Sequence, residues 1–183
     1  MTTVVACAVD GAVCMAADTM TNVYDRPIPG GARKILRLPA GDGEVLIGVT
    51  GSGGLVGVVE TLLKIDGEPR PDENPQRWAF TVARAVTALA TDDGLLEDGT
   101  LDGSLLLGWN GHLWTLVHAM AVPHPDGRAA LGSGEGPAIG ALDALLDREV
   151  APADAVVASV EIGCKRDRYS GLPIQVETLN PAT

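Results

Sequence analysis

Thr2 is the residue whose placement most directly suggests chemistry, because Met1 alone precedes it. Removal of Met1 makes Thr2 an N-terminal threonine that carries a hydroxyl and a free α-amine together. The hydroxyl is then a nucleophile toward a carbonyl, and the amine is a general base for its proton. An α-amine has a reference pKa of about 7.7–8.0, which suits that duty near neutrality. Such a nucleophile further needs a cation to favour the forming alkoxide, a group that holds the cation, and backbone N–H groups aimed at the developing oxyanion. Lys34 is available as the cation and Asp18 as its anchor. The turn Thr50-Gly51-Ser52-Gly53-Gly54 offers N–H groups where glycine lets the backbone approach a ligand closely. Ser133, within Gly132-Ser133-Gly134, is a candidate partner for the amine or for an ordering water, and Asp167-Arg168-Tyr169-Ser170-Gly171 is a further polar cluster. Each has an ordinary reading when taken singly. An Asp at a strand end forms turns, a lysine is a solvated charge, and glycines punctuate loops; spacing alone does not make them converge.

The elements that must position these groups follow from pattern. Residues 2–9 and 12–17 are β-branched and small apolar types around Asp10-Gly11. That is a hairpin signal, since the turn needs positive φ. Thr2 then opens a strand and Asp18 ends the next. Residues 20–31 hold Asn22, Asp25, Pro27, Pro29, Gly30 and Gly31 and read as a loop. Strands are expected at 34–38 and 44–50, joined by Gly41-Asp42-Gly43, with a helix at 55–65. A Pro-rich acidic loop spans 67–74, and Pro75 suits the first position of a second helix with Trp78, Val82, Val86 and Leu89 at helical spacing. Residues 93–103 are polar and Gly-rich. Asn110-Gly111 joins expected strands at 105–109 and 112–118. A short strand at 128–131, helices at 137–146 and 152–164, and a terminal strand at 173–179 complete the order. Strands, two helices, strands, two helices and a strand suit two packed sheets with helices on their outer faces.

Composition narrows the class. A chain of 183 residues with 46% hydrophobic and 20% charged content is expected to form one globular domain, 1–183. Aromatics make up 3%, so the core must be aliphatic. Apolar runs are too short to span a membrane. Asp10 and Asp18 within the first twenty residues do not fit a signal peptide, so a cytoplasmic setting is expected. The net charge of −11 speaks against nucleic acid, which would want a basic footprint. Cys7, Cys14 and Cys164 lack metal-ligand spacing and read as buried thiols in a reducing compartment. Cys7 and Cys14 could face each other across the hairpin. His112, His118 and His124 lie six residues apart, which is no metal face, and the tryptophans read as core or interface.

These motifs together resemble the β-type subunits of the proteasome family, including the peptidase subunit of the bacterial two-component ATP-dependent protease. Thr2-Thr3-Val4-Val5 is similar to the family's mature start. Ala16-Ala17-Asp18-Thr19 is similar to its Gly/Ala-Asp motif, and Ala32-Arg33-Lys34-Ile35 to its lysine segment. Gly48-Val49-Thr50-Gly51-Ser52-Gly53 resembles the oxyanion turn, Leu131-Gly132-Ser133-Gly134 the Gly-Ser-Gly, and Arg166-Asp167-Arg168-Tyr169-Ser170-Gly171 the segment that supports the threonine. No single motif is specific; six in order along nearly the whole chain are. The long N-terminal helix of α-type subunits has no counterpart here.

The resemblance implies an α+β fold, a four-layer αββα sandwich of two antiparallel sheets flanked by helices, as in N-terminal nucleophile hydrolases. It implies Thr2 as nucleophile and base, Lys34 as electrostatic stabiliser fixed by Asp18, and Gly51 N–H as oxyanion donor. Ser133, Asp167 and Ser170 would form a hydrogen-bonding shell around the amine. Thr21, Ala32 and Val49 would line the substrate pocket and favour cleavage after apolar side chains. The implied activity is threonine-type peptide hydrolysis within a homo-oligomeric stacked ring, on polypeptide substrates, with an ATP-dependent unfoldase as partner. No metal or organic cofactor is implied for catalysis, although analogy allows a cation at the Asp167–Ser170 loop. Two other readings stand beside this one: an inactive ring scaffold, which a retained Met1 would favour, and a small-molecule amidohydrolase on the same fold.

Overall fold

The computed structural model describes residues 2–24, 26–69 and 73–181. The chain begins with a hairpin of β1 (Thr3–Val9) and β2 (Ala12–Asp18). Its turn residues Asp10 and Gly11 have φ of 50° and 80°, as the Asp-Gly signal requires. A two-stranded ribbon of β3 (Thr21–Val23) and β4 (Arg26–Ile28) follows, then the pair β5 (Ile35–Ala40) and β6 (Gly43–Val49). Helices α1 (Gly53–Thr61) and α2 (Pro75–Asp92) come next. A small ribbon, β7 (Leu96–Glu97) with β8 (Thr100–Leu101), precedes the meander β9 (Leu105–Trp109), β10 (His112–Val117) and β11 (Met120–Pro123). The chain ends with β12 (Arg128–Gly132), α3 (Glu135–Leu146), α4 (Pro152–Arg166) and β13 (Ile174–Leu179).

Two antiparallel sheets form, in the orders β12-β1-β2-β13 and β11-β10-β9-β6-β5. Three apolar layers hold them in an αββα sandwich. Val4, Ala6, Val13, Met15, Ile35, Leu46 and Leu106 fill the space between the sheets. Val5, Cys7, Cys14 and Ala16 pack outward on Ala138, Leu142, Val156 and Val160 of α3 and α4. The outer face of the second sheet packs on α1 and α2, around Leu55, Val59, Trp78, Val82 and Val86. This double coverage explains why β1 is apolar at successive positions: its even residues enter one layer and its odd residues another. Gly48 and Gly108 let the sheets close on each other. A Cβ at Gly48 would stand 2.7 Å from Val4 Cγ1, and one at Gly108 2.7 Å from Val13 Cγ1.

The helix ends follow local chemistry. Asn74 caps α2 by accepting from Gln76 N at 2.9 Å, with Pro75 at the first turn. Ser52 caps α1 by accepting from Gly54 N at 3.2 Å. Helix α4 carries Asp154 in its first turn and Lys165 and Arg166 in its last, as the helix dipole favours. The segment expected as loop at 20–31 carries the β3–β4 ribbon, and the polar stretch after α2 carries β7–β8. Strand β11 is a further addition to the expected elements. Helix α1 ends at Thr61, four residues short of the expectation. Among the described residues no helix is long and apolar enough to cross a membrane.

Candidate functional site

Strand parity sets the two threonines on opposite sides of the first sheet. Thr3 shares its side with Val5 and Cys7, toward α3 and α4, whereas Thr2 shares the inter-sheet side with Val4 and Ala6. Thr2 is 3% exposed and borders a cleft of about 450 Å³. Gly132, opposite Thr3 in the β1–β12 register, has φ of +98°, and a Cβ there would collide with the Thr2 carbonyl oxygen. Position 132 therefore requires glycine for two independent reasons. The expectation that Met1 is removed falls on a residue outside those described.

Asp18 is fully buried at the end of β2 and accepts four hydrogen bonds. Oδ1 accepts from Lys34 Nζ at 2.8 Å and from Thr3 N at 2.9 Å. Oδ2 accepts from Met20 N at 3.1 Å and Gly171 N at 3.0 Å. A carboxylate out of water is tolerable only with such compensation. Lys34, itself 5% exposed, stands just before β5 and is aimed by its backbone. Gln175 on β13 takes Lys34 N and Ile35 N on its Oε1, both at 3.0 Å, and returns Nε2 to Ile35 O at 2.8 Å. Thus the last strand of one sheet holds the first residues of β5 in the other.

A second network lies behind Thr3. Ser133 Oγ donates to Asp167 Oδ2 at 2.5 Å, and Ser170 Oγ donates to the same oxygen at 2.6 Å. Asp167 Oδ1 accepts from Tyr169 N at 3.1 Å, which closes the loop after α4. With its proton so committed, Ser170 Oγ accepts from Thr3 Oγ1 at 2.8 Å. Ser133, Asp167 and Ser170 thus join in one chain that ends on Thr3, next to Thr2.

The Gly51 turn faces the cleft from the other sheet. Gly51 has φ of +97°, and a Cβ there would collide with Asp102 O. The turn is tied to the segment between β8 and β9 by Thr50 N to Ser104 O at 2.9 Å and Ser52 N to Asp102 O at 3.0 Å. Thr21, Ala32 and Val49 all line the same cleft, together with Thr2, Lys34 and Gly51. The structure therefore gathers every residue singled out from the sequence into one cleft and the shell behind it. A larger cavity of about 680 Å³, at Gln76, His112, Trp114 and His124, lies by Ala8 at the opposite end of β1. It holds none of those groups.

Two positioning residues were missed. Gln175 sits in an ordinary β-strand pattern, and only its register shows that it meets Lys34. Thr3 is hidden beside Thr2; strand parity, applied to both, separates their directions. Among the described residues no cluster of His, Cys, Asp or Glu has the makings of a metal site. Asp167 spends both oxygens on protein hydrogen-bond donors.

The layers and the cleft define an N-terminal nucleophile hydrolase fold. No family model matches the sequence. The ATP-dependent protease subunit HslV of Pseudothermotoga lettingae is 28% identical over 183 residues, covering 97% of each chain. The Thiobacillus denitrificans BPH structure in complex with epoxomicin superposes with a TM-score of 0.80 at 21% identity, over 99% of this chain and 100% of that one. Eukaryotic HslV from Trypanosoma brucei gives 0.69 at 20% identity, over 97% and 99%. In sequence and in fold the chain is similar to the proteasome β-subunit family, HslV included.

Proposed function

We propose that this chain is a threonine-type peptidase with Thr2 as its nucleophile after removal of Met1. The observation that carries the reading is the convergence on one cleft of Thr2, the buried Lys34–Asp18 pair and the Gly51 turn. Thr2 Oγ attacks the peptide carbonyl carbon while the Thr2 amine takes the hydroxyl proton. Lys34 spends one of its three ammonium hydrogens on Asp18, and its positive charge favours the alkoxide. Gly51 N–H meets the oxyanion. The proton passes to the leaving amine, the C–N bond breaks, and an ester remains on Thr2 Oγ. Water activated by the same amine then releases the acid and restores the threonine. Ser170, Asp167 and Ser133 hold the β1 terminus through Thr3, and so position Thr2.

The similarity to HslV supports a proteolytic role in a ring of like chains that receives polypeptide from an ATP-dependent unfoldase, in the cytoplasm. The test is intact mass before and after incubation with epoxomicin, the ligand of the BPH structure. Loss of Met1 and a single adduct, absent in Thr2→Ala, is the expected result. A retained Met1 with no adduct would overturn the reading in favour of a scaffold. An adduct without any cleavage of unfolded protein would point to small amide substrates.

A further inference from the structure

Two of the three cysteines share one rung of the first sheet, far along β1 from Thr2. Across the four strands the rung reads Arg128, Cys7, Cys14 and Thr178, each the direct partner of the next. The next rung on the same face, Ala130, Val5, Ala16 and Val176, is wholly aliphatic. Directly paired antiparallel residues stand about 4.5–5.5 Å apart at Cα, and a disulfide spans about 4.4–6.8 Å. Both thiols point into the layer under α3 and α4. Cys7 Sγ lies 3.8 Å from Pro152 O, and Cys14 Sγ lies 3.6 Å from Thr178 Oγ1. Cys7 is fully buried, while Cys14 is 6% exposed, one strand from the sheet edge at β13. A cavity of about 380 Å³ is lined by Arg128, Val150 and Pro152, beside Cys7. Such openings suit a reagent little larger than water.

We propose that Cys7 and Cys14 form a reversible dithiol–disulfide site, at which a small peroxide oxidises Cys14 and Cys7 resolves it. The Cys14 thiolate attacks one peroxide oxygen and the O–O bond breaks. The departing hydroxide takes up the proton that Cys14 released and leaves as water, and Cys14 becomes a sulfenic acid. Cys7 sulfur then attacks Cys14 sulfur, the S–O bond breaks, and a second water leaves with the Cys7 proton. The two thiols lose two electrons and the peroxide gains them. The roles follow from the contacts. The hydrogen-bonded Cys7 thiol holds Cys14 down to about 6, against the opposing pull of burial and with a smaller contribution from the Thr178 hydroxyl. That same contact, and burial, push the Cys7 thiol up. Cys14 is therefore the thiolate, and Cys7 carries the proton that leaves with water. With Cys7 alongside, oxidation stops at the disulfide, short of the irreversible sulfinic acid. In a reducing compartment such a bond is transient. No atom of the Thr2 cleft takes part, so the site is independent of the peptidase reading.

The experiment treats the whole reduced chain with hydrogen peroxide, at a dose and time that oxidise free cysteine completely, and then with N-ethylmaleimide in denaturant. Intact mass should show the loss of two hydrogens and a single maleimide, on Cys164, where the untreated chain takes one on each of its three cysteines. Dithiothreitol should restore all three. Thr2→Ala protein should behave identically, whether or not Thr2 proves to be a nucleophile. Cys7→Ala removes the resolving thiol, so the same dose should carry Cys14 on to sulfinic acid, a gain of two oxygens. Cys14→Ala should leave Cys7 reduced. Alanine already recurs in that layer, at Ala16, Ala138 and Ala155, so both variants suit its packing. The wild-type masses decide alone if either variant fails to fold. Three maleimides after peroxide, a bond that joins two chains, or sulfinic acid on wild-type Cys14 would each overturn the proposal.

Discussion

Asp18 holds its charge with no exposed surface, and Lys34 holds the opposite charge beside it. Breaking a buried pair by removing one partner typically costs about 3–5 kcal/mol, because the other charge is left uncompensated. Asp18→Asn should fall in that range by urea denaturation, since three backbone donors, Thr3 N, Met20 N and Gly171 N, also lose a carboxylate. Lys34→Met removes the cation proposed to favour the alkoxide and should abolish epoxomicin adduct formation. Stability cannot distinguish the roles of these two residues; adduct formation on a folded Lys34→Met protein can, and undiminished labelling there would remove Lys34 from the mechanism. Thiol chemistry separates Thr2 from Cys164, a rival nucleophile. Cys164 borders a cavity beside Ser170, but burial, with a smaller effect of the Asp18 charge, pushes its thiol up to about 11. The thiolate is the reactive form, so Cys164 is inert near neutrality. Iodoacetamide at pH 7.5 should leave peptidase activity unchanged and Cys164 unlabelled in the native protein. Inactivation with a label on Cys164 would contradict this.

Elements differ in how openly the sequence declares them. The β1–β2 and β9–β10 hairpins were legible because Asp10-Gly11 and Asn110-Gly111 adopt the positive φ that those pairs favour. Pro75 likewise fixed the start of α2. The ribbon β3–β4 was hidden because Pro27 and the nearby glycines are the usual marks of a loop, and three-residue strands carry no periodic signal. Strand β11 was hidden for a similar reason, being a four-residue edge that ends in proline. In the site, residue identities were legible and convergence was not. Lys34 meets Asp18 only because two sheets pack, and Gln175 meets Lys34 across 141 positions of sequence. The β10–β11 region also carries a pH-dependent contact. His124 ring Nε2 lies 2.8 Å from Thr115 Oγ1, and burial holds its pKa below the usual 6.5, against the opposing pull of Asp126. The unfolded chain therefore takes up a proton first as pH falls. The stabilising contribution is complete above about pH 6.5 and is lost as pH drops through the lower folded value. Urea midpoints should decline between pH 7 and 5.5, and His124→Phe should flatten that decline; parallel curves for both proteins would exclude the histidine as its source.

At the scale of the whole molecule, apolar surface and charge oppose each other. Strand β11 is an edge of the second sheet, with Met120 56% and Val122 46% exposed, and Phe80 of the adjacent α2 is also exposed. An exposed apolar edge is a surface that other chains cover. The proposed ring gives it like chains as partners, and closed rings are the expected product of a repeated heterologous contact. Each chain also brings a net charge of −11, so every added copy meets electrostatic repulsion. The Debye length is about 10 Å at 0.1 M salt and shortens to about 3 Å at 1 M, which removes most of that repulsion while leaving apolar burial intact. Light scattering after size exclusion should therefore show a particle at a multiple of the 18.8 kDa chain mass, with the assembled share rising with sodium chloride. Val122→Lys, which adds charge at the exposed edge, should shift the distribution toward the single chain while far-ultraviolet circular dichroism stays native. A single chain at every salt concentration would refute ring formation by this protein alone. An assembly insensitive to Val122→Lys would place the contact on another face, and the β3–β4 ribbon, with Val23 and Ile28 exposed, would be the next to test.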